Sequence, residues 1–219
     1  MRANADALLA SAVVELCPYR RAHVERYHEW MSDEDTLRAT ASERLTLAEE
    51  YAMCEQWARD ETKCTFIVRD ARTREMVGDV NFFFGVDHDD AGAAEIECMI
   101  GERSMRRKGY AREALEVFMA YGAVVLGVTT FVAKIGFDNA ASLNLFAGLG
   151  YVERSSSEIF REKTLTLPAR DARTGEVHSR FQDRCRACRF NRPTHTSRDV
   201  SRQNRDSIVR RPAILSVDL

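Results

Sequence analysis

The segment that most restricts how this chain can fold is Arg106-Arg-Lys-Gly-Tyr-Ala111, because of what flanks it. Upstream, Glu95-Ile-Glu-Cys-Met-Ile100 reads as a strand. Downstream, Ala111, Ala114, Leu115, Phe118, Tyr121, Gly122 and Val125 recur at intervals of three and four, while Arg112, Glu113 and Glu116 face the other way. A strand entering a basic, glycine-containing turn and then an amphipathic helix leaves the first helical N–H groups without partners, all aimed at the turn. Such a turn attracts phosphate. The helix dipole contributes roughly 0.3–1 kcal/mol for an anion there, Arg106, Arg107 and Lys108 add charge, and Gly109 permits close backbone approach. The plain alternative is a tight turn with solvated basic residues.

The remaining elements alternate between the two periods. Val13–Cys17 reads as a strand ended by Pro18, followed by a helix containing His23, Tyr27 and Trp30. Thr46-Leu-Ala-Glu49 is a capping box that opens a second helix running to Asp60. Lys63–Arg69 and Met76–Val86 form a hairpin across a polar turn, and Ala94–Ile100 completes a meander. Strand Thr130–Ile135 and helix Asn139–Leu149 complete a parallel crossover, and Tyr151–Leu167 supplies a closing hairpin. This order is α/β. Beyond Pro168 apolar periodicity disappears, so residues 168–219 are expected to be a disordered, Arg-rich tail.

Arg-x-x-Gly-x-Ala after a strand resembles the pyrophosphate loop of the GCN5-related N-acetyltransferase (GNAT) superfamily. A second signature follows: strand Phe131–Ile135, then Asn139-Ala-Ala-Ser142 with Leu143, Phe146, Leu149, Gly150 and Tyr151, which is similar to that superfamily's Asn-x-x-Ser helix. The resemblance implies one acetyltransferase domain over residues 1–167, with a mixed central sheet of about seven strands and helices on both faces. The front of the chain resembles the eukaryotic N-acetyltransferase nine subfamily, the alpha/beta-tubulin N-acetyltransferases. The likeness lies in Arg26-Tyr-His-Glu-Trp-Met31, Thr40-Ala-Ser-Glu43, Glu50-Tyr-Ala-Met53, Lys63-Cys-Thr-Phe-Ile-Val68 and Met76-Val-Gly-Asp-Val-Asn81. Where that subfamily typically has glycines in its loop, Arg107 and Ala111 stand here.

The resemblance implies acetyl-coenzyme A as co-substrate, held by Arg106, Arg107, Lys108, Gly109, Tyr110, Ala111 and Arg112, with Asn139 on the pantetheine amides. Acetyl transfer to an amine needs a neutral nitrogen, a polarised thioester carbonyl and a proton for the leaving thiolate. Several superfamily members carry a catalytic glutamate on the strand before the loop, eleven residues ahead of its first residue, which lands on Glu95. Glu97 shares its strand face and serves equally as a candidate base, through a water. Either glutamate could instead form an ion pair with a partner such as Lys134. Met99 or Ile100 would supply the oxyanion N–H, and Ser142 the proton for sulfur; Ser142 and Asn139 could equally be capping residues. Alternation puts Cys98 opposite the glutamates, which favours direct transfer over an acetyl-enzyme. Tyr27, Trp30, Glu43 and Tyr51 are the candidate acceptor contacts.

The acceptor implied is a protein N-terminus, with tubulin the subfamily's substrate. The competing readings are a small-molecule amine acetyltransferase and a non-catalytic microtubule-binding module. The net charge of −2 divides into −8 over residues 1–167 and +6 over 168–219, where twelve Arg meet six Asp or Glu. An acidic body argues against a general nucleic-acid binder. Ala5–Val14 is too short and weakly apolar for export or a membrane span, and the scattered Cys17, Cys54, Cys64 and Cys98 do not suggest a disulfide framework, so a cytoplasmic setting is expected. No metal is expected either: Cys185-Arg-Ala-Cys188 with His178 and His195 lacks a second cysteine pair, and His23 and His28 do not share a helix face.

Overall fold

The structure, a computed structural model, describes residues 4–40, 42–87 and 90–190. The described strands are β1 (Leu9–Ala10), β2 (Val14–Pro18), β3 (Lys63–Asp70), β4 (Met76–Phe84), β5 (Ala93–Met99), β6 (Thr130–Gly136), β7 (Val152–Ser157), β8 (Glu162–Pro168) and β9 (Arg189–Phe190). They form one sheet in the order β7-β8-β6-β5-β4-β3-β2-β1-β9. Nine strands replace the expected seven because the short β1 extends the edge beside β2 and β9 pairs on its far side, Leu9 opposite Phe190. Every pairing is antiparallel except β5 with β6.

Alternation along the strands separates two faces. Phe66, Phe82, Ile96, Phe131 and Ile135 are fully buried against α4 (Tyr110–Tyr121), where Phe118 stacks on Phe82 with ring centroids 3.9 Å apart. Leu145 and Phe146 of α5 (Ala140–Gly148) join that core. The opposite face is covered by α1 (Val24–Trp30), α2 (Glu34–Ala39) and α3 (Leu47–Arg59), through a cluster that includes Tyr27, Trp30, Leu37, Cys54, Ile67 and Met99. Helices therefore lie on both faces, as expected. The capping box is present: the Thr46 hydroxyl accepts from the Glu49 N–H, and the Glu49 carboxylate accepts from the Thr46 N–H at 2.7 Å.

The expectation that everything beyond Pro168 is disordered is corrected for residues 169–190. There α6 (Ser179–Ala187) packs along α4, burying Phe181 against Phe131 with ring centroids 5.5 Å apart, and β9 joins the sheet. The segment is poor in apolar residues, so its order depends on partners elsewhere in the chain. Arg184 pairs with Glu113 and, at 3.7 Å, with Glu116 on the outer face of α4. Arg184→Ala is expected to destabilise the chain by about 1 kcal/mol, a fall of about 2–4 °C in Tm by thermal melting. The rest of the Arg-rich tail, residues 191–219, lies outside the described residues, as does His195.

Candidate active site

Two structural decisions create the site. The first is the parting of β5 from β6. Their parallel ladder runs Ala93↔Thr130, Ala94↔Phe131 and Glu95↔Val132, and stops there. The remainder of β5, Ile96–Met99, has no ladder partner on that side, so the strands diverge toward their C-terminal ends. The second decision is that both strands feed helices: β5 leads into α4 and β6 into α5, which sets two helix N-termini at the same edge of the parallel pair. Ligands of α/β sheets gather outside the carboxyl ends of such strands.

The loop before α4 has the geometry the sequence predicts, with refinements. Gly109 is the N-cap at φ +87°, in the left-handed region, and no side chain caps the helix, so its first N–H groups have no side-chain acceptor. A Cβ at Gly109 would meet nothing within 4 Å, which leaves the approach to those N–H groups open. Arg107 is itself left-handed at φ 60°, where glycine is favoured, and Ala111 is buried inside the helix. Arg107 and Lys108 are exposed. The Arg106 Nε donates to the Ile100 carbonyl at 3.0 Å, fastening the loop to the end of β5. Tyr110 donates its hydroxyl to Asp70, and Arg112 reaches the Gly148 carbonyl at 3.3 Å, so these two side chains anchor α4 to β3 and α5. Asn139 caps α5, accepting from the Ser142 N–H at 3.0 Å, and Ser142 is fully buried. An open helix terminus with glycine at its cap, beside parted strands, suits a diphosphate joined to an extended arm.

Beyond Met99 the covered face of the sheet becomes polar. Register places Glu95 opposite Phe83, Glu97 opposite Asn81 and Met99 opposite Asp79, and on the next strand Lys63 opposite Phe83 and Thr65 opposite Asn81. Glu95 is 3% exposed; its Oε2 lies 2.9 Å from the Lys134 Nζ, and its Oε1 is buried without a hydrogen-bond partner. The ion-pair alternative thus applies to Glu95. Glu97 is half-buried, and burial above all, reinforced by Glu95 and Asp79 against the opposing pull of Lys63 and Lys134, pushes its carboxyl up to about 7. That places a base near neutrality, where general-base catalysis is most effective.

Sequence reasoning missed three members of this face: Lys63, Asp79 and Asn81. Asp79 is 2% exposed, accepts from the Asn81 amide at 2.8 Å and from the Tyr27 hydroxyl at 3.5 Å, and is pushed up to about 6 by burial. Lys63 is 5% exposed, with its ammonium 3.7 Å from the Trp57 ring and 3.8 Å from the Phe83 ring. The available signal was a charged residue at an inward position of an otherwise apolar strand. Cys98 lies on the opposite face, in the core, and burial raises its thiol, as alternation predicts.

Two of the four proposed acceptor contacts are corrected. Tyr27 and Trp30, each 5% exposed, form the buried side of α1. Trp30 packs so closely on Gly101 that a Cβ there would lie 2.3 Å from its ring, which makes it a buttress for the turn after β5. Glu43 is exposed, and Tyr51 is half-exposed with its hydroxyl 3.2 Å from Glu25 and Arg21 stacked 4.1 Å over its ring.

The family model described as an acetyltransferase (GNAT) domain matches residues 14–152. The chain is 48% identical over 174 residues to an N-acetyltransferase 9-like protein of Nematostella vectensis, covering 75% of this chain and 87% of that one. It is 47% identical over 178 residues to human alpha/beta-tubulin-N-acetyltransferase 9, covering 76% and 86%. Among solved structures, the spermidine N-acetyltransferase of Vibrio cholerae in complex with CoA and spermine superposes with a TM-score of 0.64 at 15% identity, over 78% of this chain and 99% of that one, which shows a shared fold. Parted strands, an uncapped glycine loop and a raised carboxyl on the polar face thus accompany direct sequence kinship, and the chain belongs to the GNAT acetyltransferases as an N-acetyltransferase.

Proposed function

We propose that this chain moves the acetyl group of acetyl-coenzyme A onto the amino terminus of a protein, with tubulin as the acceptor and the cytosol as the setting. The observation that carries the chemistry is Glu97, a carboxyl raised to about 7 on the polar face beside the parted strands. The acceptor rests on the names of the relatives at 47% and 43% identity, both alpha/beta-tubulin-N-acetyltransferases. The six free cysteines are consistent with a reducing compartment.

When bound, acetyl-coenzyme A supplies the activated acetyl thioester. The N–H groups at the start of α4 and the charge of Arg107 and Lys108 hold its diphosphate. The unladdered edge of β5 receives the extended arm, and the backbone N–H of Met99 or Ile100 stabilises charge on the carbonyl oxygen. Glu97, Glu95 and Asp79 form an anionic field that draws an ammonium group in, and Glu97 accepts its proton. Ser142 protonates the departing sulfur.

Lys108→Glu tests the loop without touching the fold, because the side chain is exposed. Calorimetry should show acetyl-coenzyme A affinity falling about tenfold or more with Tm unchanged. A screen with tubulin N-terminal peptides beside free polyamines tests the acceptor: turnover confined to polyamines would replace the protein substrate with a small amine, and unaltered cofactor affinity in the variant would remove the loop from the site.

A further inference from the structure

Lys134 occupies an unusual place. It lies on β6, two residues past Val132, where the ladder with β5 ends, and on the same sheet face as Glu95. Its Nζ reaches back to Glu95 at 2.9 Å, so a primary amine lies across the opening between the two strands with a carboxylate in hydrogen-bond contact. The side chain is 35% exposed. Its charge also opposes the burial that pushes the Glu97 and Glu162 carboxyls up. An amine, a carboxylate positioned to take its proton and a thioester slot are what the acyl-transfer reaction requires.

We propose that Lys134 is a self-acetylation site, an internal amine presented at the place the external acceptor must reach. The inference rests on the acetyl-coenzyme A reading above. In the step, Lys134 gives one ammonium proton to Glu95, its nitrogen bonds to the thioester carbonyl carbon, the carbon–sulfur bond breaks, and the second nitrogen proton leaves with the sulfur as thiol. Glu95 returns its proton to water, and the product is a neutral amide. The cation that balanced Glu95 is then gone, so the acetylated chain carries a more negative polar face, and Glu97 is pushed further up because the Lys134 charge that opposed the shift is removed.

The chain is suited to the test because it has few lysines. Of 32 Lys and Arg, four are Lys: Lys63, Lys108, Lys134 and Lys163. Lys63 is buried between aromatic rings, Lys163 pairs with Glu153 at 2.8 Å away from the opening, and Lys108 is exposed on the loop. The full chain is incubated with acetyl-coenzyme A and no acceptor, and the modified lysine is mapped by peptide mass spectrometry. The expected result is one acetyl group on Lys134, at a rate independent of protein concentration. Glu95→Gln should slow the labelling while calorimetric cofactor binding persists. In the cofactor-free chain, a small acetyl thioester of N-acetylcysteamine should label Lys134 ahead of Lys108, and unfolding in urea should abolish that preference. Labelling led by Lys108, as in simple chemical acetylation, overturns the proposal. So does a chain that binds acetyl-coenzyme A and stays unmodified, which leaves the acetyltransferase reading intact; absence of binding overturns both.

Discussion

Glu97→Gln is expected to lower kcat/KM for amine acetylation by about 10²–10⁴-fold, leave acetyl-coenzyme A binding in place and abolish the acid limb of the pH–rate profile. In the wild type that limb should lie near pH 7, because burial and the carboxylates of Glu95 and Asp79 hold the Glu97 carboxyl at about 7. The base must be deprotonated, so activity rises with pH through that value and then levels. A stability effect of definite sign accompanies it. Folding raises this carboxyl above its ordinary value of 4.5, so its contribution to stability is full below that value and is lost as pH rises through about 7. Glu97→Gln should therefore melt higher than the wild type at pH 8 and show no such gain at pH 4. A variant with full activity at pH 7.5, or one whose Tm difference is the same at both pH values, would remove Glu97 from the proton transfer.

Gly78→Ala is expected to cost about 3 kcal/mol or more, a fall of about 6–12 °C in Tm. A Cβ at this position would lie 1.9 Å from the Met99 carbonyl oxygen and 3.0 Å from the Ile100 Cα. Those are backbone atoms, which cannot rotate away as a side chain could. They belong to the stretch where β5 ends and Arg106 is fastened to Ile100, so the strain falls on the candidate oxyanion donors. Activity should fall even at temperatures where the variant stays folded. Gly85→Ala is the matched control: its φ of +72° carries a backbone penalty of about 1–2 kcal/mol, but nothing lies within 4 Å of the new methyl. Equal melting of the two variants would mean that the close approach at Gly78 relaxes to a cost no larger than the backbone penalty at Gly85.

Local signals carried much of the fold. Thr46 and Glu49 satisfy each other as the capping box requires, and the apolar positions of α4 are buried through Gly122. The exception is Val125, 38% exposed, because Gly122–Leu126 forms a π-helix that rotates later residues off the helical face. The candidate loop was legible because strand, glycine and helix are adjacent in sequence. The rest of the polar face was not, because Lys63 and Asp79 lie on two strands other than that of Glu97 and meet it only through their register. The short α2 was missed, its Asp33 N-cap lying in a run of polar residues. The ordered part of the C-terminal extension was missed for a related reason. Arg184 reads as a solvated charge until α6 is known to dock on the side of α4 that carries Glu113 and Glu116.

The pairing of Leu9 with Phe190 joins the first described strand to the last. During synthesis the chain is threaded N-terminus first, and β1 must wait with one row of backbone groups unpaired until residue 190 clears the ribosome. The edge of the sheet beyond β1 is therefore covered only once residue 190 has emerged. A truncated product would leave the ribosome with an open β1 edge, ready to pair with the same edge of another unfinished copy.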